Sequence, residues 1–208
     1  MTPEQFLTRC PSLWHVAPSG SWATIEERGL RTAAQLIDAA DLDAERRAEL
    51  HELPRRSAVP LRVDGADVVL RDQGPLFKAN LASFLEPGLT VADWVGLLNR
   101  RVYLFTNKAA MQKLLAKYVA TDGAQDVISF SPRRLLETAH SRIELAARNT
   151  GAIARQSDPY KGRDTFLSIS RSRDRQPAEV TMVDGLDDLS AVVRVERHSA
   201  DGTRTALV

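Results

Sequence analysis

The chain has 208 residues and a formal net charge of +1 at pH 7, with 43% hydrophobic and 26% charged residues. This composition is typical of a globular protein that buries a sizeable core, and the length favours one domain over residues 1–208. A single cysteine, Cys10, excludes an intramolecular disulfide, and no stretch reaches the ~18 apolar residues that a membrane helix needs. The first ten residues lack the apolar core of a signal peptide, so we expect a cytoplasmic protein with no membrane partner.

The first predicted elements put an imidazole at the end of a strand. A short strand ends near His15, a Pro-Ser-Gly turn follows, and a helix begins with Ser21 as its N-cap and closes at Gly29. Free amides and the helix dipole converge at such a helix N-terminus, which suits an anionic ligand. His15 is therefore either a ligand contact or a half-buried histidine with a structural hydrogen bond.

Two capped helices and a hairpin come next. Thr32 and Asp43 are the predicted caps of helices over 33–40 and 44–53, and Asp64-Gly65 joins hairpin strands over 59–63 and 68–70. The hairpin leads into the loop Arg71-Asp72-Gln73. This loop either presents a guanidinium and an amide to a ligand or holds itself together through an Arg71–Asp72 pair.

The middle of the chain offers a second basic group at a helix N-terminus. Helices are predicted over 76–85 and 91–99, the latter with a capping box between Thr90 and Asp93. A strand over 101–105 then leads through Thr106-Asn107-Lys108 into a helix from Ala109 to about Ala120.

The last third is predicted to be mostly strands. A helix opens at Ser131-Pro132. Strands are expected over 126–130, 142–146, 165–170, 178–183, 192–196 and 203–207. The polar stretch from Gly151 to Gly162 is long for a connection in a compact domain, and we expect it to close over a ligand.

Three segments resemble bacterial ADP-ribosyltransferases of the DarT type, which modify nucleic acid. The run from Leu13 to Leu30 is similar to their first strand and helix, and VYLFTNKAAM (102–111) is similar to a later strand–loop–helix. PAEVTMVDGLDDLSAVVRV (177–195) is similar to the segment that carries their catalytic glutamate. The segments follow the family order and cover about a third of the chain. The NTG and GRDTF runs also resemble a little-studied related bacterial family that shares His15 and Arg71-Asp72-Gln73.

The resemblance implies an α+β, ADP-ribosyltransferase-like fold with a split antiparallel β core and peripheral helices. It implies mono-ADP-ribosyl transfer from NAD without a metal, with a nucleic acid acceptor, as a toxin or phage-defence effector that an antitoxin or regulatory protein controls. It makes Glu179 a catalytic residue and puts Lys108 where the family carries a catalytic arginine. The residues expected to bind NAD are His15, Arg71, Gln73, Tyr103, Phe105, Asn107 and Arg163.

The chemistry explains why these residue types are wanted. Breaking the ribose–nicotinamide bond passes through an oxocarbenium-like state, which a carboxylate such as Glu179 stabilises. Lys108 is a point charge without the bidentate fork of arginine, so its role would be electrostatic, the acceptor chemistry would differ, or activity would be lost. The sequence has neither G-x-G-x-x-G nor a P-loop, which argues against those nucleotide-binding folds. The alternatives are an NAD hydrolase, an RNA 2′-phosphotransferase, or a non-catalytic nucleotide-binding or partner-binding module.

Overall fold

This computed structural model describes residues 1–74, 76, 81–151 and 161–208. The described part of the chain contains seven α-helices and ten β-strands. The helices are α1 (Pro3–Arg9), α2 (Ser21–Arg28), α3 (Ala33–Ala39), α4 (Ala44–Glu52), α5 (Val91–Asn99), α6 (Lys108–Asp122) and α7 (Pro132–Ala139). The strands are β1 (Leu13–Pro18), β2 (Val59–Val63), β3 (Ala66–Leu70), β4 (Arg101–Phe105), β5 (Gln125–Phe130), β6 (Ile143–Ala146), β7 (Phe166–Ser168), β8 (Glu179–Val183), β9 (Val192–His198) and β10 (Arg204–Ala206). Short 3-10 helices cover Leu81–Phe84, His140–Arg142 and Arg163–Thr165.

An eight-stranded sheet in the order β10-β9-β5-β1-β4-β8-β6-β7 organises the molecule, and β2 and β3 form a separate hairpin. Every strand pairing is antiparallel. The predicted α+β class with an antiparallel core is therefore confirmed.

Helices cover both faces of the sheet. On one face Phe6 of α1, Trp22 of α2 and Leu135 of α7 pack with the largest group of buried side chains. On the other face α6 buries Met111 and Leu115, and α5 buries Trp94. The segment from α3 to β3 has a small apolar cluster of its own.

The central strands β1 and β4 touch at one end only. β1 pairs with β5 over six residues and β4 pairs with β8 over five, but Trp14 and Phe105 are the single registered pair between β1 and β4. Beyond that pair, the facing backbone groups of the two strands must find other partners.

Most of the predicted caps are confirmed, because capping depends on side chains a few residues apart. Thr32 and Thr90 form capping boxes, and Asp43 accepts from the amide of Arg46. The Asp64-Gly65 turn has φ values of 49° and 82°, which a hairpin of this length requires.

The predicted cap of α2 was wrong. Gly20, with φ 88°, is the N-cap, and Ser21 is the first helical residue. The buried Asp126 carboxylate on β5 accepts from the amides of Gly20 (2.9 Å) and Trp22 (3.3 Å), so a distant residue does what Ser21 was expected to do.

Several element ends also differ from the sequence predictions. β1 continues past His15 to Pro18 because its second half pairs with β5. The strand predicted over 165–170 is limited to Phe166–Ser168, where it pairs with β6. A helix was predicted over 76–85, and the structure has the 3-10 helix Leu81–Phe84 in this region. Residues 77–80 of the predicted helix lie outside the described residues. Of the loop predicted over 151–162, residues 152–160 lie outside the described residues.

Candidate functional site

The imidazole of His15 bridges the two central strands where they separate. Its Nδ1 lies 3.0 Å from the carbonyl oxygen of Tyr103 on β4. A carbonyl can only accept, so Nδ1 carries the proton, and in the neutral ring Nε2 is then an acceptor. Burial lowers the pKa of His15, and the nearby Arg71 charge lowers it further, although the bond to Tyr103 acts in the opposite direction. His15 is thus a neutral imidazole with an acceptor nitrogen.

Tyr103 and Phe105 alternate along β4 and have different surroundings. The hydroxyl of Tyr103 donates to the carbonyl of Leu98 (3.3 Å), and its ring packs beside the α5 cluster. Burial raises the pKa of Tyr103, and the neighbouring Glu179 raises it further. Phe105 packs instead against the cluster beneath α6.

Glu179 begins β8 directly opposite Phe105, and Ala146 flanks it on β6. Its Oε2 accepts from the amide of Thr150 (3.1 Å) and from the hydroxyl of Thr150 (2.8 Å). Burial raises the pKa of Glu179, while these two hydrogen bonds and the charge of Lys161 lower it. The structure therefore brings His15, Tyr103 and Glu179 onto three adjacent strands.

Two further residues lie near Glu179, Thr150 and Lys161, and no local sequence pattern selected them. Thr150 is 2% exposed, and its carbonyl accepts from Nζ of Lys161 at 3.1 Å. Nζ also lies 5.5 Å from the centre of the Trp94 ring. Thr150 lies in the NTG run and Lys161 precedes the GRDTF run, but the contact of Thr150 with Glu179 depends on pairing between distant segments.

Arg71 and Gln73 are held by the protein itself. Nη1 of Arg71 lies 2.8 Å from Asp122, Nη2 bonds Gln125, and the guanidinium lies 3.9 Å from the centre of the Tyr118 ring. Gln73 accepts from the amide of Arg55 (3.1 Å) and donates its own amide to the carbonyl of Arg55 (2.8 Å). Of these two residues, Arg71 carries the charge that helps to lower the pKa of His15.

Arg55 is a buried cation that no local sequence pattern marks as functional. It is 9% exposed, and it donates to the carbonyl of Arg71 (2.9 Å) and to Oδ1 of Asn99 (2.9 Å). Burial lowers the pKa of Arg55 to about 10, although the nearby Asp72 and Tyr103 raise it. Arg55 thus joins the Arg71 loop to α5 beside Tyr103.

The other three predicted site residues, Asn107, Lys108 and Arg163, lie on the surface. Asn107 caps α6 by accepting from the amide of Ala110 (2.9 Å), and Lys108 is exposed in the first turn of that helix. Arg163 is also exposed, and its amide donates to Glu86. Lys108 lies three residues after Phe105, and Phe105 is the β4 residue that pairs with Glu179.

The anion site expected at the N-terminus of α2 is already filled. Asp126, which is fully buried, accepts from two amides there and pairs with Nε of Arg197 at 2.8 Å. A phosphate at this helix would have to displace the protein's own carboxylate, so the expectation was wrong.

A small cavity of about 90 Å³ opens elsewhere, lined by Leu145, Leu167 and Pro177 among others. Leu145 points to the opposite face of β6 from Ala146, which pairs with Glu179. The cavity is therefore separate from the site around Glu179.

The described residues contain no cluster of three or more side chains able to hold a metal ion. Within the same described ranges, no helix has both the length and the apolar character to cross a membrane.

Comparison with known proteins identifies a family. A search of curated proteins gave no match. The model of DUF7002, a family of unknown function, matches residues 11–193 and so covers His15, Tyr103, Thr150, Lys161 and Glu179. Because the match spans well over half of the 208 residues, the chain belongs to the family DUF7002.

Proposed function

We propose that the protein is a mono-ADP-ribosyltransferase that uses NAD, with Glu179 as its catalytic carboxylate. The observation that carries the proposal is the placement of three groups on adjacent strands: the His15 imidazole on β1 bonds the Tyr103 carbonyl on β4, and Tyr103 lies near Glu179 on β8. A neutral imidazole, an aromatic ring and a half-buried carboxylate are the groups that a ribosyl cation and its hydroxyls need. The resemblance to DarT-type enzymes also supports this proposed activity.

The reaction breaks the bond between ribose C1′ and the nicotinamide nitrogen, and the electron pair leaves with nicotinamide. Positive charge develops on the ribose, and the Glu179 carboxylate stabilises it. The acceptor's nucleophile then bonds to C1′, and Glu179 takes up its proton. Nε2 of His15 accepts from a ribose hydroxyl, because Nδ1–H is already committed to the Tyr103 carbonyl.

We further propose a nucleic acid acceptor and a role as a toxin or phage-defence effector in the cytoplasm, under the control of an antitoxin or regulatory protein. The resemblance alone supports these parts. Incubation with NAD and with DNA, RNA or neither, followed by mass spectrometry of the nucleic acid, tests the acceptor.

The decisive variant is Glu179→Gln, which keeps the shape of the side chain and removes its charge. A group aimed at developing charge contributes about 10²–10³ in rate. We expect nicotinamide release to fall by about that factor while the Kd for NAD changes less than about threefold, as for an interaction made mainly in the transition state.

Glu196→Gln is the matched control, because Glu196 is also a half-buried strand glutamate but lies on β9. It should release nicotinamide at the wild-type rate. Equal turnover in wild type and Glu179→Gln would contradict the assignment of Glu179.

A non-catalytic nucleotide-binding or partner-binding module is the second candidate. It is favoured by Lys108 in place of arginine and by the use of Arg71 and Gln73 in internal contacts. NAD binding by wild type without nicotinamide release, on DNA, RNA, protein or water, would select it over transfer, NAD hydrolysis and 2′-phosphotransfer.

A further inference from the structure

We propose that Thr150 and Lys161 are positioning residues that clasp the Glu179 carboxylate by one oxygen and direct the other toward the ligand. This inference rests on the function proposed above, in which Glu179 acts on the ribose. It adds two residues to that site and assigns each a separate task.

Thr150 fixes the orientation of the carboxylate. Its amide and its hydroxyl both donate to the same oxygen, Oε2, at 3.1 and 2.8 Å. Two donors on one oxygen restrict rotation of the carboxylate plane. Within the described ranges Oε1 receives no hydrogen bond, so it is the oxygen that faces a ligand.

Lys161 holds Thr150 in turn. Its Nζ donates to the Thr150 carbonyl at 3.1 Å, from a main chain fixed by bonds to the Phe84 carbonyl (2.6 Å) and from the Glu86 amide (2.9 Å). Both the backbone and the side-chain ammonium of Lys161 are therefore held by hydrogen bonds. Its positive charge lies close enough to Glu179 to lower the pKa of that carboxyl.

The clasp also favours the ionised form of Glu179. Burial favours the neutral acid, and Thr150 and Lys161 both favour the carboxylate. Without them, a buried glutamate would hold its proton to higher pH and lose the charge that transfer requires.

Direct titration of Glu179 tests the clasp without any turnover. Full-length protein is labelled with carbon-13 at the glutamate carboxyl, and the Glu179 signal is identified by its loss in Glu179→Gln. The signal is followed by NMR in the absence of NAD. We expect Thr150→Val and Lys161→Met to move its midpoint to higher pH, and Thr150→Ser to stay near wild type.

Matched controls separate this effect from general perturbation. Thr165→Val removes a threonine hydroxyl that accepts from Gly162, and Lys113→Met removes an exposed charge on α6. Neither should move the Glu179 midpoint. An unchanged midpoint in folded Thr150→Val would overturn the clasp, and should that variant fail to fold, the same criterion applies to Lys161→Met.

Turnover provides the second readout. Loss of a hydrogen bond to a charged group should lower kcat near pH 7 about tenfold or more in Thr150→Val, with recovery at higher pH and rescue by Thr150→Ser. A shifted midpoint with this profile supports both proposals. A shifted midpoint in a protein whose wild type never releases nicotinamide would support the clasp and overturn the transferase.

Discussion

Burial shifts the pKa values of two side chains in the candidate site, His15 and Glu179. His15 is pushed toward the neutral imidazole, and Glu179 is pushed toward the neutral acid. For His15 the effect suits a hydrogen-bonding role. For Glu179 it opposes the proposed function, so the charged carboxylate is held there at a cost to stability.

That cost predicts a stabilising substitution. Because the folded pKa of Glu179 is raised, the side chain favours the fold fully below the ordinary glutamate pKa of 4.5 and loses that contribution as pH rises through the folded value. Glutamine does not titrate and can still accept from Thr150. We expect the Tm of Glu179→Gln to exceed that of wild type at pH 8 and the gap to shrink below about pH 4.5. Thermal unfolding across this range measures it, and a gap that does not change with pH would contradict the prediction.

Lys108 provides a prediction about ligand binding. If its exposed charge at the start of α6 neutralises the NAD diphosphate, Lys108→Ala should weaken NAD binding about tenfold, and Lys108→Arg should preserve it. Isothermal titration with NAD measures both, with Lys113→Ala as the control on the same helix. An unchanged Kd in Lys108→Ala would make Lys108 an ordinary surface residue.

At the scale of elements, the turn between β1 and α2 is fixed from β5. Asp126 joins the amides of Gly20 and Trp22 to the guanidinium of Arg197, which approaches both carboxylate oxygens (2.8 and 3.2 Å). The N-terminus of α2, which was expected to bind an anionic ligand, therefore binds the carboxylate of Asp126. His15 lies on the strand that this contact holds in place.

Removal of the carboxylate should loosen the turn. Asp126→Ala leaves two amides and a partly buried guanidinium without their acceptor, which we expect to cost about 3 kcal/mol of the free energy of unfolding. Urea denaturation measures the loss. Asp67→Ala, which removes an exposed carboxylate paired with Arg62, should cost less than about 1 kcal/mol. Equal losses in the two variants would show that Asp126 has no special role.

At the scale of the whole molecule, polar contacts join the segment from α3 to β3 to helices α2 and α5, which cover the central sheet. Arg55 bonds Asn99 of α5 and the carbonyl of Arg71, and Asn99 donates to the carbonyl of Leu50 (3.0 Å). Arg28 reaches the carbonyl of Val63. These bonds hold the Arg71 loop, which follows β3, at the position from which the Arg71 charge acts on His15.

Arg55→Met should uncouple that segment. It leaves the Asn99 side chain and the Arg71 carbonyl without a donor, which we expect to cost about 3 kcal/mol and lower the Tm by roughly 6–12 °C. Hydrogen exchange should rise in the β2–β3 hairpin. Arg62→Met, at an exposed position on β2, is the control and should leave both measurements unchanged. Normal exchange in Arg55→Met would mean that the apolar cluster alone holds the hairpin.

The sequence by itself determined the order and type of most elements and many of their ends, because caps, turns and apolar periodicity act over a few residues. Thr32, Thr90 and Asp64-Gly65 are such signals. The resemblance to DarT-type enzymes also selected His15, Tyr103 and Glu179, which the structure brings onto neighbouring strands.

Only the tertiary structure decided which polar groups meet. Thr150 and Glu179 are 29 residues apart, and Asp126 and Gly20 are 106 apart, yet each pair is joined by a hydrogen bond. Such contacts leave no local pattern, because strand pairing, and not the nearby sequence, brings the donors and acceptors together. For the same reason the local pattern assigned the cap of α2 to Ser21, whereas the distant Asp126 carboxylate accepts from the amides at the start of that helix. No local pattern predicted that Asp122 and Gln125 would bond the Arg71 guanidinium.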